Sequence, residues 1–171
     1  MFFLAFSRVG HAIENTQKNS ETEKPIEIYS TKAEFEDKKG TATYKGAVVM
    51  DQGNHHLTSD VLIIQRDTGG KIESMIATGN PAHFHVKPSP DKSELLGHAK
   101  TIKFYPKQDK ILLLQNAELT QNNETIRGEN LTYFLSTHVL LSNPVSGEKT
   151  TVILAPKSTS SNVSKTGTRT P

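Results

Sequence analysis

The residues of this chain best equipped for chemistry are its histidines and carboxylates. His83 and His85 flank Phe84. At i and i+2 on a strand they share one face, and two imidazoles placed in that way can ligate a metal. No third ligand lies near them in the sequence, so the pattern is better satisfied by a solvated face opposite an apolar one. His55-His56 follows Gly53-Asn54 and is expected to belong to that loop. Paired carboxylates could cleave a glycosidic bond, and repetitive β proteins include enzymes that cut polysaccharides. Here Glu34, Glu36, Asp37, Asp60, Asp109 and Glu129 alternate with apolar residues or sit in turns, as outward-facing side chains do. The chain has no cysteine, which excludes disulfides and thiolate metal sites and leaves the redox compartment open. It holds no Ser/His/Asp motif, phosphate loop or nucleotide fingerprint. These residues therefore suggest neither an enzyme nor a cofactor nor a metal.

The elements that must position any site are repetitive. Four times an apolar or small residue is followed two positions on by a small one, then by apolar residues three and five further. The copies are Ile28-x-Ser30-x-x-Ala33-x-Phe35, Leu57-x-Ser59-x-x-Leu62-x-Ile64, Gly97-x-Ala99-x-x-Ile102-x-Phe104 and Ile126-x-Gly128-x-x-Leu131-x-Tyr133. Ser30 and Ala99 lie 69 residues apart, as do Ser59 and Gly128. A second motif, Tyr44-Lys45-Gly46-Ala47, is answered by Leu114-Gln115-Asn116-Ala117 at a spacing of 70, and Gly79-Asn80-Pro81-Ala82 lies midway. Such repeats indicate stacked short strands.

Alternation puts residues two apart on one face of a strand. The step of three after each small residue breaks that parity, and a bulge or bend at the small side chain restores it. Each copy thus reads as strand, corner, strand. The set facing inward by this parity is Ile26, Ile28, Phe35, Tyr44, Leu62, Ile64, Phe84, Ile102, Phe104, Leu112, Leu114, Leu119, Leu131 and Tyr133. Such a set fills a core or lines a trough, and parity does not decide between them. Turn clusters at Asp37–Gly40, Gln52–Asn54, Asp67–Gly70, Lys87–Pro90, Gln121–Asn123 and Ser146–Glu148 punctuate the strands. No window has convincing helical periodicity beyond a turn near the N-terminus.

At 171 residues the chain is one domain's worth. A net charge of +2, with basic residues dispersed, lacks the stripe that nucleic acid requires. Phe2 to Phe6 is a short apolar core, and Gly10-His11-Ala12 leaves small residues where a signal peptidase cuts. Residues 1–12 are therefore expected to be a truncated signal-like segment, the alternative being a simple apolar terminus. A polar linker (13–24), a β domain (25–156) and a disordered tail (157–171) follow.

Pro25-Ile26-Glu27-Ile28-Tyr29-Ser30, Tyr44-Lys45-Gly46-Ala47-Val48-Val49 and Gly79-Asn80-Pro81-Ala82-His83-Phe84 resemble the OstA-like family. Gly97-His98-Ala99 and Ile126-Arg127-Gly128-Glu129-Asn130-Leu131-Thr132-Tyr133 follow in the same order, so the resemblance covers roughly Lys24 to Pro156. Asn116 departs from the family's usual glycine, a change that its tolerance of positive φ permits. The resemblance implies an all-β, twisted, open β-jellyroll of about sixteen antiparallel strands. It further implies a periplasmic protein without catalytic activity or cofactor that binds lipopolysaccharide, with lipid A acyl chains lying along the inward set. Protomers of the family stack head to tail, with LptC at the N-terminal end and the N-terminal domain of LptD at the C-terminal end. Each exposed CH₂ costs about 0.8 kcal/mol in water, so a multi-chain lipid needs a long dry surface to cross an aqueous space. The other reading of the same strands is a structural filament or adhesin without lipid cargo.

Overall fold

Glycine, asparagine and aspartate close the turns, and nearly everything between them is strand. The computed structural model describes residues 24–87, 93–145 and 147–154. The signal-like segment, nearly all of the linker, the tail and most of the Lys87–Pro90 turn lie outside the described residues. The described strands are β1 (Glu27–Tyr29), β2 (Lys32–Glu36), β3 (Thr41–Gln52), β4 (His55–Arg66), β5 (Ile72–Val86), β6 (Leu95–Tyr105), β7 (Lys110–Gln121), β8 (Glu124–Phe134), β9 (Val139–Ser142) and β10 (Thr151–Ile153). All pair antiparallel in one open sheet ordered β1-β3-β4-β5-β6-β7-β8-β10, with β2 also on β3 and β9 also on β8.

The ten continuous strands among the described residues replace the expected sixteen. The reason is that a corner need not interrupt a strand: β3 to β8 run for 11 to 15 residues, about twice the usual length. Each ladder shifts register at its corner, between Lys45 and Val48 in β3, Thr58 and Val61 in β4, Thr78 and Ala82 in β5, His98 and Thr101 in β6, and Leu114 and Ala117 in β7. Mostly small side chains line that row on the inner face: Ser59, Ala82, Ala99 and Ala117 are buried there beside Val48. The corners divide the sheet into two arms. The first holds β2, β9 and residues 41–45, 61–66, 72–78, 101–105, 110–114 and 130–134; the second holds β1, β10 and residues 48–52, 55–59, 82–86, 95–99, 117–121 and 124–128.

In β4 and β6 the step of three separates buried Ser59 from Leu62 and buried Ala99 from Ile102. In β3 and β7 the corner differs. Gly46 and Ala47 both have positive φ (83° and 45°), and so do Gln115 and Asn116 (67° and 55°). Two left-handed residues make a step of four, from Tyr44 to Val48 and from Leu113 to Ala117. The matching positions are therefore 69 apart, not 70, and Gln115 rather than Asn116 stands where Gly46 does. That one-residue slip overturns two of the inward assignments. Leu112 and Leu114 face the outer side, paired with Lys103 and Thr132 and with Thr101 and Asn130. Ile111 and Leu113 are the buried pair of that stretch, at 7% and 0% exposure.

The spacing of 69 extends to whole elements. A 3-10 turn at Asp37–Lys39 ends on left-handed Gly40, and another at Pro106–Gln108 ends on left-handed Asp109. β3 and β7, each of 12 residues, follow them directly. The sheet is two tandem copies of one half.

Candidate functional site: an apolar cleft between the arms

Inner-face residues of the two arms look at each other across a cleft of about 100 Å³. Leu57, Phe84 and Val86 line it from the second arm, and Ile102, Phe104 and Ile111 from the first. Met50 and Met75, two of the chain's three methionines, meet there as well. Gln52 and His55 stand at its polar lip, where His55 Nδ1 lies 3.1 Å from the Gln52 carbonyl. A wider opening of about 570 Å³ lies at the β1/β2 end, lined by Ile26, Ile28, Tyr29, Phe35 and Tyr44. At the other end the arms are tied: the Tyr133 hydroxyl donates to Gln121 Oε1 at 3.4 Å and lies 3.2 Å from His138 Nδ1. Burial holds the Tyr133 phenol above its ordinary pKa.

Among the inward assignments, Leu62, Ile64, Phe84, Ile102, Leu119, Leu131 and Tyr133 are buried. Ile26, Ile28, Tyr44 and Phe104 are partly buried against the same core. Phe35 is 65% exposed, because β2 is an edge with no strand beyond it among the described residues; its ring meets Tyr44 edge-on at 5.9 Å. Leu112 and Leu114 lie on the opposite face, as described above. The parity argument missed Met50, Leu57, Met75, Val86, Ile111 and Leu113. Met50 sits 69 residues before Leu119, and that spacing was the available signal.

The polar candidates lie outside the cleft or at its rim and serve the turns and the outer face. His55 and His56 open β4 instead of lying in the loop, and His56 Nδ1 is 2.7 Å from Asp51. His85 reaches Glu94 at 2.7 Å, and the His83 ring meets His98 across the β5–β6 ladder at 5.6 Å. No group of three or more metal-binding side chains is assembled among the described residues. Asp109 accepts the Ser136 N–H at 2.7 Å and Glu129 accepts the Asn116 N–H at 3.3 Å, so both carboxylates hold turns or corners. Asp67 is hydrogen-bonded by Lys107 at 3.0 Å and by the Lys71 and Gly69 N–H groups, which hold its carboxyl below the ordinary range.

A mostly apolar cleft lined in part by methionines suits a hydrocarbon. Residues 27–139 match the family described as LptA/(LptD N-terminal domain) LPS transport protein. The chain is 32% identical over 132 residues to the lipopolysaccharide export system protein LptH of Pseudomonas aeruginosa, covering 77% of this chain and 75% of that protein. It is 26% identical over 154 residues to LptA of Escherichia coli K12, covering 90% and 83%. The crystal structure of LptH, described as the LptA-homologous periplasmic component of the lipopolysaccharide transport device, superposes with a TM-score of 0.73 at 28% identity. That superposition covers 80% of this chain and 99% of that one. With its open antiparallel sheet, its paired arms and a match over most of its length, the chain belongs to the LptA/(LptD N-terminal domain) LPS transport protein family.

Proposed function

We propose that this protein carries lipopolysaccharide through the periplasm, sheltering lipid A acyl chains in the cleft between its arms. The observation that carries the reading is the facing of apolar side chains from two arms across an open mouth. A closed core needs no such mouth. The resting cleft of about 100 Å³ has room for only roughly three water-sized groups, so loading requires the arms to spread. Met50 and Met75 suit that movement, since an unbranched thioether repacks around changing neighbours. The wider β1/β2 opening, lined by a separate set of residues, lies at the end of the molecule.

The sheet then acts as an open jellyroll whose ends join others. Tyr29 and Phe35 at the β1/β2 edge and Val139, Leu141, Val152 and Ile153 at the β9/β10 edge are exposed apolar residues. Unpaired edges of that kind template strand addition. Copies stack head to tail, a contact that does not close, with LptC at the β1/β2 end and the LptD N-terminal domain at the β9/β10 end. The test is a photo-crosslinker at Phe104 or at Leu112 in cells making lipopolysaccharide, with mass spectrometry of lipid extracted from the purified protein. Crosslinking at Phe104 only is expected, and Phe84→Asp should abolish it, because an unpaired carboxylate in a dry cleft costs several kcal/mol. Equal labelling at both positions, or none with no lipid recovered, refutes the reading.

A further inference from the structure

The second arm contains one inner-face glycine where its repeats have branched aliphatics. The leading position of the fourfold pattern is Ile28, Leu57, Gly97 and Ile126. Gly97 is buried in the interior of β6, paired with Phe84 on β5 and Leu119 on β7. Its φ is not among the positive ones, so the backbone conformation does not call for glycine. A strand glycine without that excuse marks a close approach. The approaching group is the Phe84 ring. A Cβ on Gly97 would lie 2.1 Å from Phe84 Cε1, 2.6 Å from Cζ and 2.9 Å from Cδ1. The ring therefore lies across bare β6 backbone, in the volume that an aliphatic side chain holds in the other copies.

We infer that Gly97 is a positioning residue for the acyl-chain site: it seats the Phe84 ring against the sheet and so sets the width of the cleft. The inference rests on the carrier reading and names the residue that decides how much chain the cleft admits. A side chain at position 97 must displace the ring. β5 is laddered to β4 and β6 on both sides and cannot back away. The ring's way out is rotation toward Ile102 and Phe104, across the space of about 100 Å³ that it already borders.

The experiment is a double-mutant cycle on the whole chain with Gly97→Ala, Phe84→Leu and the two combined. Affinity for purified lipopolysaccharide and the thermal midpoint are measured for each. Gly97→Ala is expected to weaken binding at least tenfold. In the Phe84→Leu background the same change is expected to alter affinity less than twofold, since no ring remains to be displaced. If Gly97→Ala does not fold, Phe84→Leu and the double variant carry the test, with equal midpoints and affinities expected. Undiminished binding by Gly97→Ala overturns the inference. So does an equal loss in both backgrounds, because the glycine would then be answering to backbone and not to the ring. Absence of binding by the unmodified chain overturns the carrier reading and this inference together, and only that failure removes wild-type binding.

Discussion

Truncating Leu113 to alanine removes a side chain with 0% exposure, paired across the sheet with Ile102 and Leu131, which are themselves 3% and 0% exposed. Leu→Ala in a core costs about 2–5 kcal/mol, and the cost rises with the cavity that remains. Laddered strands on both sides keep the neighbours from closing in, so the upper part of that range, about 3–5 kcal/mol, applies here. At roughly 2–4 °C per kcal/mol for a chain of this size, the midpoint should fall by roughly 6–20 °C. Leu112, one residue earlier, lies between Lys103 and Thr132 on the outer face. Its truncation should cost under about 1 kcal/mol, or less than about 4 °C. Circular dichroism melts of the two variants, without lipid and at one protein concentration, make the comparison. Equal midpoints, or a larger fall for Leu112→Ala, would refute the register of β7 and restore the spacing of 70.

Three further outcomes are expected. Ala47→Gly should raise stability in urea by up to about 1.5 kcal/mol. A left-handed alanine costs about 1–2 kcal/mol, and glycine's extra backbone freedom takes back about 0.5–1; a lower midpoint contradicts the corner geometry. Ile153→Pro removes a backbone donor from the terminal strand and should shift concentration-dependent oligomers toward monomer in light scattering, whereas an unchanged profile takes β10 out of the contact. The raised pKa of Tyr133 means that the folded state resists its ionisation. Its contribution to stability is intact below pH about 10 and is lost as pH rises through the folded value, so Tyr133→Phe should flatten the alkaline fall in midpoint. An equally steep fall in that variant assigns the alkaline loss to other groups.

The corners at Ser59 and Ala99 were legible because a small residue followed by a step of three has few other meanings in a β chain. Ala47 and Ala117 were mismatched for a physical reason. Side-chain identity does not reveal which residue takes the left-handed conformation, and glutamine at position 115 is an improbable occupant of it. The sixteen strands that the family resemblance implied stand as ten among the described residues, because a bend that keeps its hydrogen bonds does not end a strand. The cleft itself was half visible. Phe84, Ile102 and Phe104 follow from alternation, whereas Met50 and Met75 come together only through the folding of one arm onto the other. Phe35 obeys the inward parity, yet it stays exposed because β2 is an edge among the described residues.

What would cover Phe35 in the proposed stack follows from the tandem halves. β5 ends the first half and zips onto β6, which opens the second. At the far end β9 and β10 lie on β8 as β5 lies on β4, and at the near end β1 and β2 lie on β3 as β6 lies on β7. The chain thus carries inside itself a finished example of the joint by which one tile could meet the next. The internal joint sets Phe84 against Gly97 and Met75 against Phe104. Through the ladders on β8 and β3 the corresponding residues are Val152 with Ile28 and Leu140 with Phe35. In the proposed stack Leu140 of one copy covers Phe35 of the next, and the boundary between molecules has the same construction as the middle of one. A polymer built in this way has no distinguishable seams. Its length is set only by what caps the two ends, and a chain of lipid moving along it would meet the same wall at every half-molecule.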